Sequence, residues 1–271
     1  FDNPRKALLT TVKEAVDNAL DACEEGGILP DIRVELLQLA ETRFKVTIRD
    51  NGPGIVRKQI ENIFGKLLYG SKFHRMKMSR GQQGIGISAA GMYGLMTTGQ
   101  PVLIISKTGR RRPSHEVLLK MDTARNRAEV ISETEHAEDD VLFRDGHGTQ
   151  VTIELEGRYQ KGRASVDEYL EQTAIANPHA RFTYVTPANE EIEYPRAVDE
   201  LPPEAKEIKP HPKGIELGTL IQMLERTDRT QLGAFFKEDF CRVGPRVAKQ
   251  ICAHAELTDR TWIKQVGHAE A

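Results

Sequence analysis

The 271-residue chain lacks several features that define broad protein classes. No apolar run is long enough to span a bilayer and no secretory signal pattern is visible, so we expect no membrane association and a cytoplasmic location. An excess of one charge is also missing, because 38 Lys and Arg residues are balanced by 40 Asp and Glu. Small DNA-reading domains are often strongly basic. Any contact with nucleic acid must therefore come from local basic clusters.

Cysteine is scarce as well. Cys23, Cys241 and Cys252 have no metal-like spacing, and an odd number of cysteines suggests reduced thiols in a reducing compartment. None has a neighbouring pattern that singles it out as a nucleophile. We expect all three to serve packing.

The first feature that suggests chemistry is an acidic and amide-bearing helix. Glu14, Asn18 and Asp21 lie at i, i+4 and i+7, so one face of a helix over residues 5–25 carries all three. A carboxylate beside an amide suits a water-activating base next to a ligand for a hard metal. The alternative interpretation is a solvated polar face.

A second feature is the turn from Asp50 to Gly54, which follows a strand predicted over residues 43–50. Asp50 shares the parity of the apolar residues of that strand, so its carboxylate points to the buried face. A buried carboxylate needs a donor, and the amino group of adenine is a suitable one. The alternative is a simple hairpin turn, since Asn-Gly and Pro-Gly are common turn pairs.

A glycine-rich segment forms the third feature, and it leads into a helical pattern. Glycines before a helix let backbone N–H groups approach phosphate oxygens. The segment differs from the common Lys-containing phosphate loop, because no Lys follows. It consists of Gly81, Gln82, Gln83, Gly84, Ile85 and Gly86. A fourth feature, Gly146-His147-Gly148-Thr149, precedes an alternating strand and taken alone indicates only a turn.

The pattern along the chain predicts helices and strands up to residue 200, a proline-rich linker over 201–214 and a helical domain over 215–271. Strands are expected at 31–39, 43–50, 101–107, 115–122, 126–132, 149–156, 181–186 and 190–194. Helices are expected at 5–25, 57–69, 84–96 and 165–176, with a polar lid at 70–83. In the last domain, apolar faces are expected at Leu217, Leu220, Ile221 and Leu224, at Leu232, Phe235, Phe236 and Phe240, and at Val247, Ile251 and Ala255.

The order of the four features resembles that of the GHKL ATPase superfamily, and the chain most resembles the B subunits of type IIB DNA topoisomerase VI. The resemblance is most specific over residues 64–96 and includes Asn177-Pro178-His179. It implies an α+β sandwich, with a mixed sheet covered on one face by helices, followed by a small helix–two-turn–helix domain. A MutL-like repair ATPase and a non-catalytic nucleotide-binding scaffold remain the alternatives.

The resemblance also implies roles for individual residues. Glu14 would be the general base and Asn18 the Mg²⁺ ligand, in a site for ATP and Mg²⁺. Asp50, with Thr149 close by, would read the adenine amino group, and Gly54 would keep the turn thin. The segment 81–86 would wrap the phosphates, and Lys72 would reach the nucleotide or the lid's surroundings.

The partners implied are a topoisomerase VI A subunit that carries the DNA-cleaving tyrosine, double-stranded DNA, and a second B subunit that dimerises on ATP binding, giving an A2B2 assembly. The implied location is the prokaryotic cytoplasm at the nucleoid, or the nucleus in a eukaryote. The chain begins without Met, so we expect it to be part of a longer protein. The strap of this family is absent or cut short here and no β-rich transducer domain follows residue 214, so we expect this chain alone to bind nucleotide but not to hydrolyse it efficiently. The candidate DNA contacts are Lys161, Arg163, Arg242, Arg246 and Lys249.

Overall fold

The structure is a computed structural model, and it divides into two compact units. The described residues up to 203 form the first unit, and those from 209 onward form the second. None of the helices in the described part of the chain is long and apolar enough to cross a membrane. The described residues are 3–65, 86–122, 127–137, 142–203, 209–215 and 217–266.

The first unit is built on one mixed eight-stranded sheet, with strand order β5-β4-β3-β6-β2-β1-β7-β8. Neighbouring strands are antiparallel, except that β1 and β7 run parallel. The strands are β1 (Asp31–Ala40), β2 (Arg43–Asp50), β3 (Val102–Lys107), β4 (Ser114–Asp122), β5 (Arg127–His136), β6 (Gly148–Glu156), β7 (Arg181–Val185) and β8 (Glu191–Tyr194).

Four helices of this unit pack on one face of the sheet, which confirms the predicted α+β architecture. They are α1 (Pro4–Glu25), α2 (Arg57–Gly65), α3 (Gly86–Thr98) and α4 (Val166–Ala176). The strands meet them with alternate residues, as in β2, where Phe44, Val46 and Ile48 are buried. Because strand side chains alternate between faces, the residues between them point to the other side of the sheet.

Strand β5 is longer than the sequence predicts, since it continues to His136 instead of ending at residue 132. Its second half is polar and lacks the apolar alternation that marks a half-buried strand. As an edge strand it pairs with β4 through its backbone. The Arg57 guanidinium also binds Glu133 of β5 with two 2.6 Å hydrogen bonds, and this pair joins the start of α2 to the edge of the sheet.

The second unit is helical, with α5 (Leu217–Arg226), α6 (Leu232–Asp239) and α7 (Pro245–His254). Its core contains the aromatic residues Phe235, Phe236 and Phe240, with ring centroids 5.2 to 5.5 Å apart.

The prediction of which residues of α7 face the core is wrong in part. Ala248 and Cys252 are buried there, whereas Val247 is 39% exposed. Small side chains let α7 approach the aromatic cluster closely, and packing rather than hydrophobicity alone decides which side faces inward. The predicted face of α5 differs similarly, because Leu217 is 57% exposed.

Gly54 gives the first testable prediction. Its φ is +74°, and a Cβ placed on it would overlap the backbone carbonyl of Lys107. Gly54→Ala should lower the free energy of unfolding of the first unit by about 2–5 kcal/mol, through backbone strain plus steric conflict. The measurement is urea denaturation followed by circular dichroism, because the single tryptophan, Trp262, lies in the second unit.

Gly27 is the matched control, with φ of +67° and open space around the position of a Cβ. Gly27→Ala should therefore cost only the backbone strain, about 1–2 kcal/mol. An equal loss of stability in both variants would contradict the close approach of the turn to β3.

Candidate functional site

Three strands end side by side beneath the Asp50 turn. The register places Asp50 of β2 opposite Thr149 of β6, and Thr149 opposite Ser106 of β3. All three side chains are buried. The Ser106 hydroxyl lies 3.3 Å from that of Thr149 and accepts a 2.7 Å hydrogen bond from the Ile55 N–H. The turn is thus fastened to the ends of two neighbouring strands.

The Asp50 carboxylate is held by backbone donors on one of its oxygens. Oδ1 accepts from the N–H of Gly52 at 2.8 Å and from that of Thr149 at 3.2 Å. Within the described part of the chain, both hydrogen bonds fall on this oxygen, so Oδ2 has capacity for another donor. Burial raises the pKa of Asp50 to about 7, although the two backbone N–H groups and His147 act in the opposite direction. A ligand donor at Oδ2 would favour the ionised form.

The turn itself is thin and packed on α1. A Cβ on Gly52 would lie 3.5 Å from the Cys23 sulfur and 3.6 Å from the Ala22 Cβ. On the other side, His147 Nδ1 donates to the Gly52 carbonyl at 2.8 Å. Cys23 is a buried free thiol whose pKa is raised chiefly by burial, which agrees with the packing role expected from the sequence. Gly52 therefore lets α1 approach the turn from one side and lets His147 approach it from the other.

Helix α1 presents Glu14 and Asn18 on one side. Glu14 is half-buried and Asn18 is exposed, and neither side chain has a hydrogen-bond partner among the described residues. Burial raises the pKa of Glu14, with Lys13 lowering it and Asp17 raising it to smaller extents. Asp21 is buried, so it does not extend the exposed polar face.

Gly86 brings the start of α3 against this side of α1. A Cβ on Gly86 would overlap the Glu14 carboxylate, so a larger residue there would require the Glu14 side chain to move aside. Free N–H groups at a helix start and the helix dipole attract anions. The structure thereby brings three of the sequence-predicted residues to one place, namely Glu14, Asn18 on the next turn, and Gly86.

Contacts at several points along α1 set its position. Asn3 caps the helix through a 2.9 Å bond from the Lys6 N–H. Midway, Asp17 accepts from Lys13 at 2.9 Å and from the Tyr169 hydroxyl of α4 at 3.2 Å. At the far end, buried His179 lies 2.7 Å from Glu24. These contacts hold the polar face towards α3.

Some predicted residues fall elsewhere. Lys161 and Arg163 are exposed in the loop between β6 and α4. In the second unit, Arg242, Arg246 and Lys249 are exposed at the turn before α7 and on its outer face. Predicted residues that lie outside the described part of the chain are Lys72, Gly81, Gln82, Gln83, Gly84 and Ile85.

Sequence reasoning missed Ser106 in this region. It is a polar residue that shares the buried parity of Val102 and Ile104, and that signal could have identified it. His147 belongs to the predicted fourth feature, but its bond to Gly52 follows from a long-range contact that no local pattern indicates. Both residues support the Asp50 turn.

The described residues contain no cluster of side chains that could hold a metal ion by themselves. Among the described residues, no group of three or more His, Cys, Asp or Glu side chains could hold a metal ion. Mg²⁺ in nucleotide sites usually takes one or two protein oxygens, with phosphate oxygens and waters completing its shell. The exposed Asn18 amide is an oxygen donor of that kind.

The chain is similar over its whole length to curated proteins named as the B subunit of type 2 DNA topoisomerase 6. It is 48% identical to that of Methanosarcina barkeri over 272 aligned residues, 49% to that of Methanosarcina acetivorans over 274, and 47% to that of Archaeoglobus fulgidus over 272. Each alignment covers 100% of this chain and 43%, 43% and 44% of the respective relative. The chain thus spans less than half the length of these relatives.

The family model described as histidine kinase-, DNA gyrase B- and HSP90-like ATPase matches residues 3–159. That match begins with α1 and includes the Asp50 turn, the start of α3 and Thr149. The chain therefore belongs to the GHKL family of histidine kinase-, gyrase B- and HSP90-like ATPases.

Proposed function

We propose that this chain is the ATP-binding and ATP-hydrolysing part of the B subunit of a type IIB DNA topoisomerase. The family membership and the names of the archaeal relatives support this assignment. The structural observation that carries it is the contact between the Glu14 carboxylate and the first residue of α3. That contact puts a candidate base beside a candidate phosphate site.

Glu14 is proposed as the general base that accepts a proton from the attacking water. Burial raises its pKa, and a more basic carboxylate takes up a proton more readily near neutral pH. Asn18, one turn further along α1, is proposed to hold Mg²⁺ through its amide oxygen. Bound Mg²⁺ would offset charge on the phosphate oxygens. The start of α3 at Gly86 would face the phosphates with its free N–H groups.

Asp50 is proposed to read the base. Its Oδ2 oxygen is available to accept from the adenine amino group, while Oδ1 is occupied by two backbone donors. Ser106 and Thr149 would hold the neighbouring wall of the pocket, and Gly54 keeps the turn against β3. A base with a carbonyl at the position of the amino group would leave the carboxylate unpaired.

The rest of the proposed function concerns partners. We propose that the full-length protein works in the cytoplasm with an A subunit that cuts double-stranded DNA, and that ATP binding brings two B subunits together in an A2B2 assembly. The exposed pair Lys161 and Arg163 is the proposed DNA contact of the first unit. Basic side chains in an exposed loop can approach backbone phosphates.

The role of Glu14 is tested by Glu14→Ala in the full-length protein assembled with its A subunit. Phosphate release should fall about 100-fold or more, because a general base is removed. ATP binding by the variant chain, titrated with a fluorescent analogue, should change by less than about threefold, because no phosphate contact is lost. Asn18→Ala should instead weaken Mg-ATP binding about tenfold or more.

Glu171→Ala is the control for this pair, since Glu171 is an exposed carboxylate in the middle of α4. It should leave binding and turnover unchanged. Undiminished turnover by Glu14→Ala would contradict the proposed base.

The preference for ATP over GTP tests the proposed role of Asp50 in reading the base. ATP should bind at least tenfold better than GTP, because an unpaired buried carboxylate costs about 1–3 kcal/mol. Asp50→Asn should reduce this preference, since an amide can donate to the guanine carbonyl. Competition titrations with both nucleotides measure it, and Asp31→Asn on the opposite face of the sheet serves as the control. Equal binding of ATP and GTP by the unchanged chain would be inconsistent with this pocket.

The pH dependence of binding gives an independent test. Burial raises the pKa of Asp50 to about 7, so the carboxyl is protonated at lower pH and must release a proton to accept from adenine. ATP affinity should therefore rise between about pH 6 and pH 8. Calorimetry on the chain and on Asp50→Asn measures the effect, and the phosphates of ATP titrate equally in both. A pH profile unchanged by the substitution would refute the linkage to Asp50.

A further inference from the structure

On the face of the sheet opposite α1 to α4 lies a polar cavity of about 330 Å³. It lies between one end of strands β1, β2, β7 and β8 and the segment that precedes β6. Because successive strand residues point to opposite faces, the Arg49 side chain is on the face of this cavity, whereas the Asp50 side chain is on the other face. The cavity borders the Asp50 turn, since Asp50, Asn51 and His147 also line it.

Two arginines face each other on this surface. The antiparallel register places Arg33 of β1 opposite Arg49 of β2. Like charges directly opposite on neighbouring strands are destabilising unless each is neutralised. Arg33 is neutralised, because it binds Glu35 at 2.6 Å and Glu191 at 3.0 Å. Arg181, which also lines the cavity, is paired with Glu193 at 3.3 Å.

Arg49 has no direct partner of this kind. Within the described residues it makes no ion pair or hydrogen bond, although it is half-buried in the cavity. Burial lowers its pKa, the positive charges of Arg33 and Arg144 lower it further, and the carboxylates of Glu35 and Asp31 act in the opposite direction without pairing with it. Arg144 is exposed at the cavity edge and likewise has no partner in the described part of the chain. Two guanidinium groups without a partner in the described part of the chain, those of Arg49 and Arg144, thus line one cavity beside the two paired ones of Arg33 and Arg181.

The surroundings limit what could bind there. A buried polar wall is supplied by Thr183, which pairs in register with Arg33. Five acidic residues also line the cavity, namely Asp31, Asp50, Asp145, Glu191 and Glu193. They would repel an extended polyanion such as DNA, whereas a small anion could enter the concave space between the guanidinium groups. Arginine binds phosphate and carboxylate oxygens in a planar, often bidentate geometry.

We propose that this cavity binds the phosphate group of a small molecule, or free phosphate, between Arg49 and Arg144. The ligand neutralises the two guanidinium charges that the protein itself leaves unpaired. This site goes beyond the proposed ATPase function, because neither of the two arginines that would bind the ligand is assigned to ATP, although Asp50 also lines the cavity.

The test is a titration of the 271-residue chain with inorganic phosphate at constant ionic strength, followed by NMR. The reporters are the backbone amides of Arg49 and Thr183 and the Nε–H of Arg49. These signals should shift saturably, and Arg49→Gln should weaken phosphate binding about tenfold or more, as expected for loss of a charged hydrogen bond. Arg144→Gln, at an exposed position that does not affect folding, should also weaken binding.

Lys45→Gln is the matched control. Lys45 lies on the same strand and the same face as Arg49, also carries no ion pair among the described residues, and does not line the cavity. Its replacement should change the phosphate affinity by less than about twofold, since only a distant and screened charge is removed. In phosphate-free buffer, Arg49→Gln should keep or raise the thermal midpoint, because it removes a repulsive charge. Phosphate should raise the midpoint of the unchanged chain but not that of Arg49→Gln.

Three results would overturn the proposal. Equal weakening by Lys45→Gln and Arg49→Gln would mean general surface attraction. Phosphate shifts confined to α1 and the start of α3 would mean that phosphate occupies only the nucleotide side. Shifts of the Arg49 and Thr183 signals with a short DNA duplex, but not with phosphate, would make the cavity a DNA contact instead.

Discussion

A carboxylate buried at the ends of three strands is the constraint on which the proposed nucleotide site depends. Asp50 can occupy this position only because backbone N–H groups from the turn and from β6 meet one of its oxygens. Burying the group without them would cost several kcal/mol. The free-energy cost of burial that these hydrogen bonds do not offset is the reason why the pKa of Asp50 is raised. The pocket is thus arranged for a ligand that brings one more donor.

The same requirement explains the glycines around the site. Backbone donors reach a carboxylate only where the chain passes close by, and Gly52 and Gly54 permit that approach between α1 and β3. Gly86 does the same for α3 against Glu14. The proposed base recognition and the proposed phosphate chemistry would therefore both depend on a single helix, α1, which packs against the turn near one end and against α3 at Glu14.

The sequence predicts much of this arrangement because the relevant signals are local. Helical spacing places Glu14 and Asn18 on one face, and strand parity turns Asp50 inward, as observed. The parts that were missed depend on contacts between distant segments. The bond from His147 to Gly52 joins residues 95 positions apart, and the register of Arg33 with Arg49 arises only when β1 and β2 pair. The length of β5 was underestimated because backbone pairing at an edge needs no apolar alternation.

In the proposed site, one face of this sheet binds ATP, with Asp50 at the base and Glu14 near the phosphates. A crystal structure of the chain with Mg²⁺ and a non-hydrolysable ATP analogue tests this arrangement most directly. We expect the adenine amino group at about 3 Å from Asp50 Oδ2, a usual hydrogen-bond distance, with the phosphates between Glu14 and the start of α3. An adenine bound away from Asp50, or a triphosphate that leaves α3 uncontacted, would contradict it.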